Sequence, residues 1–236
     1  MDVSPKIISI LGDSLAMPRI EEGINFENTY EYLLSKKMYS DFYILNKSKR
    51  GNTIKNQSIL QYIYDDIEVL KPTFIIIQLG ICDCAPRIIG SKERLILDVL
   101  APFWFKRLYI NLKSKNRLFL TKYFPRVNVM FPDFKLMYKG LIEKIFKIDS
   151  VKKVIVINIC DTNQENKKRS FGFEENIVRY NSFLKTLESE NIILLDLFEA
   201  SRLDPNLLLE DGIHLSRKGH IFITDKISES LNSYKL

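Results

Sequence analysis

Residues 7–14 read Ile-Ile-Ser-Ile-Leu-Gly-Asp-Ser, a short aliphatic run that ends at a glycine and two polar residues. Such a run is typical of a buried strand in a parallel sheet that leads into a functional turn. Similar runs recur, with helical periodicities between them, so strands and helices alternate along the chain. This alternation predicts an α/β fold with a central parallel sheet of about five strands joined by right-handed crossovers. The other runs cover residues 42–45, 74–79, 154–159 and 192–195.

A single domain is predicted for residues 1–236, because α/β domains of this length are common and no Gly/Ser/Pro-rich linker divides the chain. The connection between the third and fourth strands is far longer than one crossover helix requires. We therefore expect a helical insertion after the third strand, at about residues 91–150. A closing helix should begin at Ser216 as N-cap.

The composition is that of a folded soluble protein, with 46% hydrophobic and 27% charged residues. The sequence from Met1 to Ser14 fits neither a signal peptide nor a membrane span, so a cytoplasmic location is expected. Three cysteines without a CxxC pair, and only two histidines, predict reduced thiols and no metal site. No cofactor is expected, since neither a dinucleotide-binding nor a P-loop glycine pattern is present.

Polar residues follow several predicted strands at the edge where active sites of open parallel sheets lie. Four short blocks can converge there. They are Gly12-Asp13-Ser14, Arg50-Gly51-Asn52, Gly80-Ile81-Cys82-Asp83 and Asp211-Gly212-Ile213-His214.

A serine hydroxyl becomes a nucleophile when a nearby histidine removes its proton. Ser14 is the candidate nucleophile and His214 its base, while Asp211 can hold the Nδ1 proton of His214. The second histidine, His220, falls on the inner face of the closing helix and is interpreted as a packing residue. The backbone N–H groups of Ser14 and Gly51 are candidate donors to an oxyanion.

These blocks resemble, in order and over nearly the whole chain, those of the SGNH or GDSL hydrolases. Gly12-Asp13-Ser14-Leu15 looks like the GDSL signature, Gly51 resembles the glycine oxyanion donor, and Asp211 with His214 resembles the Asp-x-x-His block. The resemblance implies a three-layer, flavodoxin-like sandwich and metal-free esterase, lipase-like or O-acyltransferase chemistry.

The third block departs from the family pattern Gly-x-Asn-Asp, because Cys82 stands where the asparagine donates to the oxyanion. A thiol is a weak donor, so Asn52, or less favourably Asn46, is a candidate replacement. Variants of this kind resemble members associated with bacterial surface-polysaccharide biosynthesis.

Three arginines lie within or near the blocks: Arg19, Arg50 and Arg87. Guanidinium groups suit carboxylates or phosphates, so these arginines, with the block residues Asp13 and Asp83, are candidate contacts to an anionic substrate. Alternatively, the arginines pair with Asp13, Asp83 or surface acids. The sequence favours neither interpretation.

The insertion has no acid between Asp98 and Asp133, and its cations account for the net charge of +6. It is also rich in aromatic residues. The interpretation favoured by the sequence is that the aromatics pack inward and the lysines are solvated. Among functional roles, a cap over the substrate or a peripheral contact with an anionic membrane is favoured over nucleic-acid binding. The cations are Lys106, Arg107, Lys113, Lys115, Arg117, Lys122 and Arg126, and the aromatics are Phe103, Trp104, Phe105, Tyr109, Phe119, Tyr123 and Phe124.

The sequence is compatible with two functions. The first is a serine-dependent carbohydrate esterase (deacetylase) or O-acyltransferase that forms an acyl-serine, acting on an anionic glycan or glycan precursor. The second is a catalytically degenerate binding protein of the same fold in polysaccharide biosynthesis.

Overall fold

The computed structural model describes residues 6–38 and 41–232. Five parallel strands form one sheet in the order β2-β1-β3-β4-β5. The strands are β1 (Lys6–Gly12), β2 (Phe42–Asn46), β3 (Phe74–Gln78), β4 (Lys153–Ile157) and β5 (Ile192–Leu195). The predicted parallel sheet, and the location of each strand, are confirmed.

The strand order reverses between β1 and β3, which pair in register from Ile8 opposite Phe74 to Gly12 opposite Gln78. In open α/β sheets, binding sites form at such a reversal, beyond the carboxyl ends of the strands. Ser14 follows β1 and Cys82 follows β3, so the first and third blocks flank this point.

Helices cover both faces of the sheet, which completes the three-layer architecture. On one face α1 and α12 pack together, and on the other α8 packs against α10 through Phe134 and Phe183, whose ring centroids lie 6.0 Å apart. The helices are α1 (Tyr30–Lys37), α2 (Ile54–Gln57), α3 (Leu60–Ile63), α4 (Ile81–Cys84), α5 (Ser91–Leu100), α6 (Phe103–Lys115), α7 (Arg117–Tyr123), α8 (Phe131–Ile145), α9 (Gln164–Arg169), α10 (Phe173–Lys185), α11 (Leu197–Leu203) and α12 (Arg217–Leu231).

The core lies between these layers and is built from β-branched and aromatic residues. β3 is buried along its whole length, because a central parallel strand is covered on both faces. The closing helix α12 begins as predicted, since the Ser216 side chain accepts a hydrogen bond from Gly219 N.

The stretch expected as an insertion, at about 91–150, divides into two parts. Helix α8 is a layer helix, because Phe134, Tyr138 and Ile145 are fully buried in the core. Helices α5, α6 and α7 lie outside that layer, and α6 has no buried residue. Only the part before α8 is therefore additional to the crossover.

The aromatic residues of the insertion do not pack inward, contrary to the favoured interpretation of the sequence. Phe103 is 80% exposed and Trp104 67%, and Phe119, Tyr123 and Phe124 are also exposed. The mixture of aromatic residues and cations indicates an amphipathic helix, but composition does not indicate which side of that helix meets the core. Among the described residues, no helix is long and apolar enough to cross a membrane.

Candidate active site

Ser14 is the first residue of a single 3₁₀ turn, Ser14–Ala16, that directly follows β1. Asp13 caps this turn, because its Oδ1 accepts a hydrogen bond of 2.9 Å from Leu15 N. The turn brings Ser14 Oγ to 3.0 Å from Nε2 of His214, a residue 200 positions later.

His214 lies in the loop that precedes α12, and Asp211 organises this loop. Asp211 Oδ2 lies 2.5 Å from His214 Nδ1, and Oδ1 accepts hydrogen bonds of 2.9 Å from the backbone N–H groups of Ile213 and His214. Burial alone would raise the pKa of Asp211, but these hydrogen bonds outweigh burial and hold the pKa below its usual range. The ionised carboxylate favours a proton on Nδ1, which leaves Nε2 free to act as a base toward Ser14.

Two asparagines that the sequence does not single out form hydrogen bonds with the loop that carries Asp211 and His214. Asn166 Nδ2 donates to the carbonyl of Asp211 (2.7 Å), and Asn163 Nδ2 donates to that of Glu210 (2.8 Å). The sequence feature that could have identified them is their position after β4, at the same edge of the sheet as the four blocks. They position the base without touching it.

The second block packs against the end of β1. Gly51 adopts a left-handed φ of 69° and is exposed, so a backbone N–H can face solvent there without a side chain in the way. Lys49 N and Asn52 Nδ2 both donate to the Gly12 carbonyl, each at 3.1 Å.

Asn52 differs from its expected role as an oxyanion donor. Its second amide contact is to Gln57 Oε1 (3.0 Å), and the side chain is buried. With its amide group directed at Gly12 and Gln57, it ties the second block to the strand. Asn46 is engaged in a similar way, because its amide donates to Ala16 O and to Glu31.

The third block forms the short helix α4, which begins after Gly80. The Cys82 thiol lies close to the Asp13 carboxyl group, and Asp83 Oδ1 accepts a hydrogen bond of 2.9 Å from Ile54 N, at the start of α2. Hydrogen bonds thus join the first block to the second through Gly12 and Asn52, and the third block to α2 through Asp83.

Asp13 and Asp83 are not placed to contact substrate, which corrects the expectation from the sequence. They are 1% and 0% exposed, and each directs one carboxyl oxygen into a backbone hydrogen bond. Burial raises the pKa of Asp13 to about 6 and that of Asp83 to about 7. Both groups belong to the floor of the site.

The three arginines differ in where they lie. Arg19 Nη1 is 3.0 Å from His214 Nε2, and the same guanidinium forms an ion pair with Glu22. Arg50 is exposed and donates to Pro18 O (3.0 Å). Arg87 donates to Cys82 O (2.9 Å) and lines a cavity of about 540 Å³ that it shares with the insertion. Of the three arginines, Arg19 is therefore the one that lies beside His214.

His220 has the structural role expected from the sequence. It is 1% exposed, and its Nδ1 accepts a hydrogen bond from Tyr30 N at the start of α1. Burial lowers its pKa to about 4, so it is neutral at physiological pH.

Ser14 and His214 are half-buried, so both residues remain partly exposed to solvent. Neither lines the cavity of about 540 Å³ beside Arg87 or the cavity of about 500 Å³ behind the Asp211 loop. The site is accessible from the surface of the molecule.

Comparison with known proteins identifies the family of this chain. The model of the GDSL-like lipase/acylhydrolase family matches residues 10–221, which include all four blocks. The chain belongs to this family. This GDSL-like chain is therefore an enzyme of the SGNH hydrolase type. No curated protein sequence matches it.

Solved structures share the fold of this GDSL-like chain at low sequence identity. A lipase/acylhydrolase from Enterococcus faecalis is 16% identical with a TM-score of 0.68, covering 99% of this chain and 98% of the other. The acetyl xylan esterase AlAXEase is 17% identical with a TM-score of 0.62, covering 96% and 99%. A catalytic mutant of an acetylxylan esterase from Geobacillus stearothermophilus is 15% identical with a TM-score of 0.60, covering 98% and 96%. The SGNH sandwich is thus common to the whole length of the chain.

Proposed function

We propose that this GDSL-like hydrolase is a serine-dependent carbohydrate esterase or O-acyltransferase that acts on an anionic glycan or glycan precursor. The observation that carries the serine chemistry is the chain of contacts from Ser14 Oγ to His214 Nε2 (3.0 Å) and from His214 Nδ1 to Asp211 (2.5 Å). This is the relation of nucleophile, base and orienting carboxylate that acyl transfer requires.

In the proposed reaction, Ser14 Oγ attacks the ester carbonyl while His214 Nε2 takes its proton. The backbone N–H groups of Ser14 and Gly51 are the proposed donors to the resulting oxyanion. Collapse of this intermediate breaks the ester bond, and His214 returns the proton to the departing alcohol. Water or a sugar hydroxyl then attacks the acyl-serine, which regenerates Ser14.

Arg19 supports an anionic substrate. The single lone pair on His214 Nε2 accepts one strong hydrogen bond, and both Ser14 Oγ and Arg19 Nη1 lie 3.0 Å from it. A substrate carboxylate or phosphate would attract the guanidinium and leave Nε2 to Ser14. Two of the structural neighbours are named as acetylxylan esterases, which supports a glycan ester as the substrate and does not bear on its charge. We further propose a cytoplasmic role in surface-polysaccharide biosynthesis, which rests on the resemblance of the altered third block to members with that association.

The serine chemistry is tested with a fluorophosphonate probe on the purified protein. We expect labelling that is lost in Ser14→Ala and reduced by at least about a hundredfold in rate in His214→Ala, because the base activates the serine. Ser230→Ala, an exposed helix position, is the matched control and should label normally. No labelling of the folded wild-type protein would instead favour the degenerate binding protein.

The substrate charge is tested with O-acetylated glucuronate and O-acetylated glucose. Arg19→Gln should raise KM for the acidic ester by about tenfold or more, since an ion pair is lost, and should not lower kcat for the neutral ester. Arg202→Gln, an exposed arginine paired with Glu199, is the control. Equal effects on both esters would exclude Arg19 as the anion-binding group.

A further inference from the structure

Helices α5, α6 and α7 expose an unusually large apolar surface, here called the insert face. No other stretch of this length among the described residues exposes as many large hydrophobic side chains. They are Leu95, Ile96, Val99, Leu100, Phe103, Trp104, Phe105, Leu108, Leu112, Leu118, Phe119, Tyr123 and Phe124. Folded proteins rarely leave a contiguous surface of this kind without a partner.

On α6 these side chains form a continuous stripe. Trp104, Leu108 and Leu112 are spaced by four residues, so they lie on one side of the helix, and they are 67%, 62% and 61% exposed. Helix α5 carries a second row through Leu95 and Val99, which are also four residues apart and exposed. Each of the two helices therefore exposes an apolar row of its own, so the feature is more than one exposed residue.

Uncompensated positive charge surrounds the stripe. Glu93 and Asp98 are already paired, Glu93 with Lys113 and Arg126, and Asp98 with Lys106. The other four of the seven cations, Arg107, Lys115, Arg117 and Lys122, have no ion pair with the described residues, and all of them except Arg117 are exposed. Any partner must therefore bury apolar side chains and also supply negative charge.

We propose that the insert face docks on the surface of an anionic phospholipid bilayer. Helices that lie in a membrane interface place tryptophan, phenylalanine and leucine on one side and lysine or arginine beside them, as α6 does. A symmetric contact between two copies would bring two positively charged faces together, which charge repulsion disfavours. Docking would hold the enzyme at a membrane surface through residues separate from the catalytic ones.

Trp104 is the one tryptophan of the chain and lies in the stripe, so its fluorescence reports docking directly. We expect a blue shift of its emission, and co-sedimentation of the protein, with vesicles of equal parts phosphatidylcholine and phosphatidylglycerol. Pure phosphatidylcholine vesicles should bind at least about tenfold more weakly, and added salt should weaken binding to the anionic vesicles. These measurements need no catalysis, so they fail or succeed separately from the proposed esterase activity.

Two double variants separate the apolar and electrostatic contributions. Leu108→Ser with Leu112→Ser, and Arg107→Gln with Lys115→Gln, should each reduce binding to anionic vesicles by about tenfold or more. Leu203→Ser, at an 86% exposed position outside the insertion, is the matched control and should bind as the wild type does. Circular dichroism verifies that each variant is folded.

Three outcomes would overturn the proposal. The first is no binding of wild-type protein to anionic vesicles at low ionic strength, and the second is binding that both double variants retain. The third is an emission already blue-shifted without vesicles together with a sedimentation coefficient that rises with concentration, because a second copy would then cover the face.

Discussion

Cys82 lies in α4, just beyond the carboxyl end of β3, where the family pattern has an asparagine, and its thiol is close to the buried Asp13 carboxyl group. Burial raises the pKa of this thiol well above its usual range, so Cys82 stays neutral and is not a second nucleophile. Asn52 and Asn46, the residues that could replace the asparagine amide, are both committed to other partners. The backbone N–H groups of Ser14 and Gly51 are left as the proposed oxyanion donors.

Restoring the amide should therefore accelerate the enzyme. Cys82→Asn is expected to raise kcat by roughly a hundredfold on an activated acetyl ester, because loss of one oxyanion donor typically costs about a hundredfold to a thousandfold in kcat. KM should change little, since the donor acts in the transition state. Steady-state kinetics measure both values.

Cys82→Ser is the comparison for this substitution, because it matches the thiol in size and lacks the reach of the amide. If Cys82→Asn proves no faster than Cys82→Ser, residue 82 does not face the oxyanion and the site works with two donors by design.

Among the elements, the turn from β3 into α4 is tightly constrained. Gly80 has a φ of 139°, and a Cβ added there would lie 2.7 Å from the Ile159 side chain. A glycine is required for both reasons. The four-residue helix that follows carries Cys82 and Asp83, so this turn sets the floor of the site.

Gly80→Ala should destabilise the protein by about 1–3 kcal/mol, because the new methyl group is strained in its backbone conformation and meets Ile159. Urea unfolding measures the change, and kcat should fall with it as α4 shifts. The matched variant is Gly140→Ala inside α8, where a Cβ meets nothing within 4 Å. That substitution should stabilise by up to about 1 kcal/mol, and equal effects at the two glycines would contradict the strain.

Helix α3 shows a limit of periodicity. The spacing of Leu60, Ile63, Ile67 and Leu70 predicts one buried helical face, yet Leu60 is 72% exposed while Ile63 and Ile67 are buried. The helix changes to a π turn over Tyr64–Glu68, which rotates later residues relative to earlier ones. A regular period of 3.6 does not anticipate this change.

At the scale of the whole molecule, a buried carboxyl group and a buried histidine make folding depend on pH. The pKa of Asp83 is raised by burial from 3.8 to about 7, so the folded state binds its proton more tightly than the unfolded state does. The stabilisation from this group is fully present below about pH 4 and is lost as the pH rises through 7. His220 has the opposite sign: its lowered pKa makes stability fall as the pH drops from 6.5 toward 4.

Asp83→Asn isolates the carboxyl contribution, because the amide oxygen can still accept the hydrogen bond from Ile54 N. Relative to this variant, the wild-type protein should lose stability between pH 4 and 8, by an amount on the order of a few kcal/mol. Urea unfolding of both proteins across this range measures the difference, in which the unchanged His220 cancels. Parallel curves would mean that Asp83 is ionised in the folded protein.

The sequence by itself determined the strands, the parallel sheet and the candidate residues Ser14, Asp211 and His214. Local patterns carry this information: apolar runs define buried strands, and the carboxyl ends of parallel strands meet at one edge whatever their separation in the chain. Asp211 and His214 also lie three residues apart, so their contact needs little more than a loop.

The tertiary structure alone decided how the remaining side chains are used. Asn52 and Arg19 both lie beside a catalytic block, yet Asn52 is bound to Gly12 and Gln57 while Arg19 reaches His214. The outward orientation of the aromatic residues in the insertion was likewise decided by tertiary packing. Hydrogen-bond partners and helix orientation depend on which segments of the chain pack together. Groups that are distant in the sequence compete for these contacts, and the spacing of residues within one segment does not show which of them form.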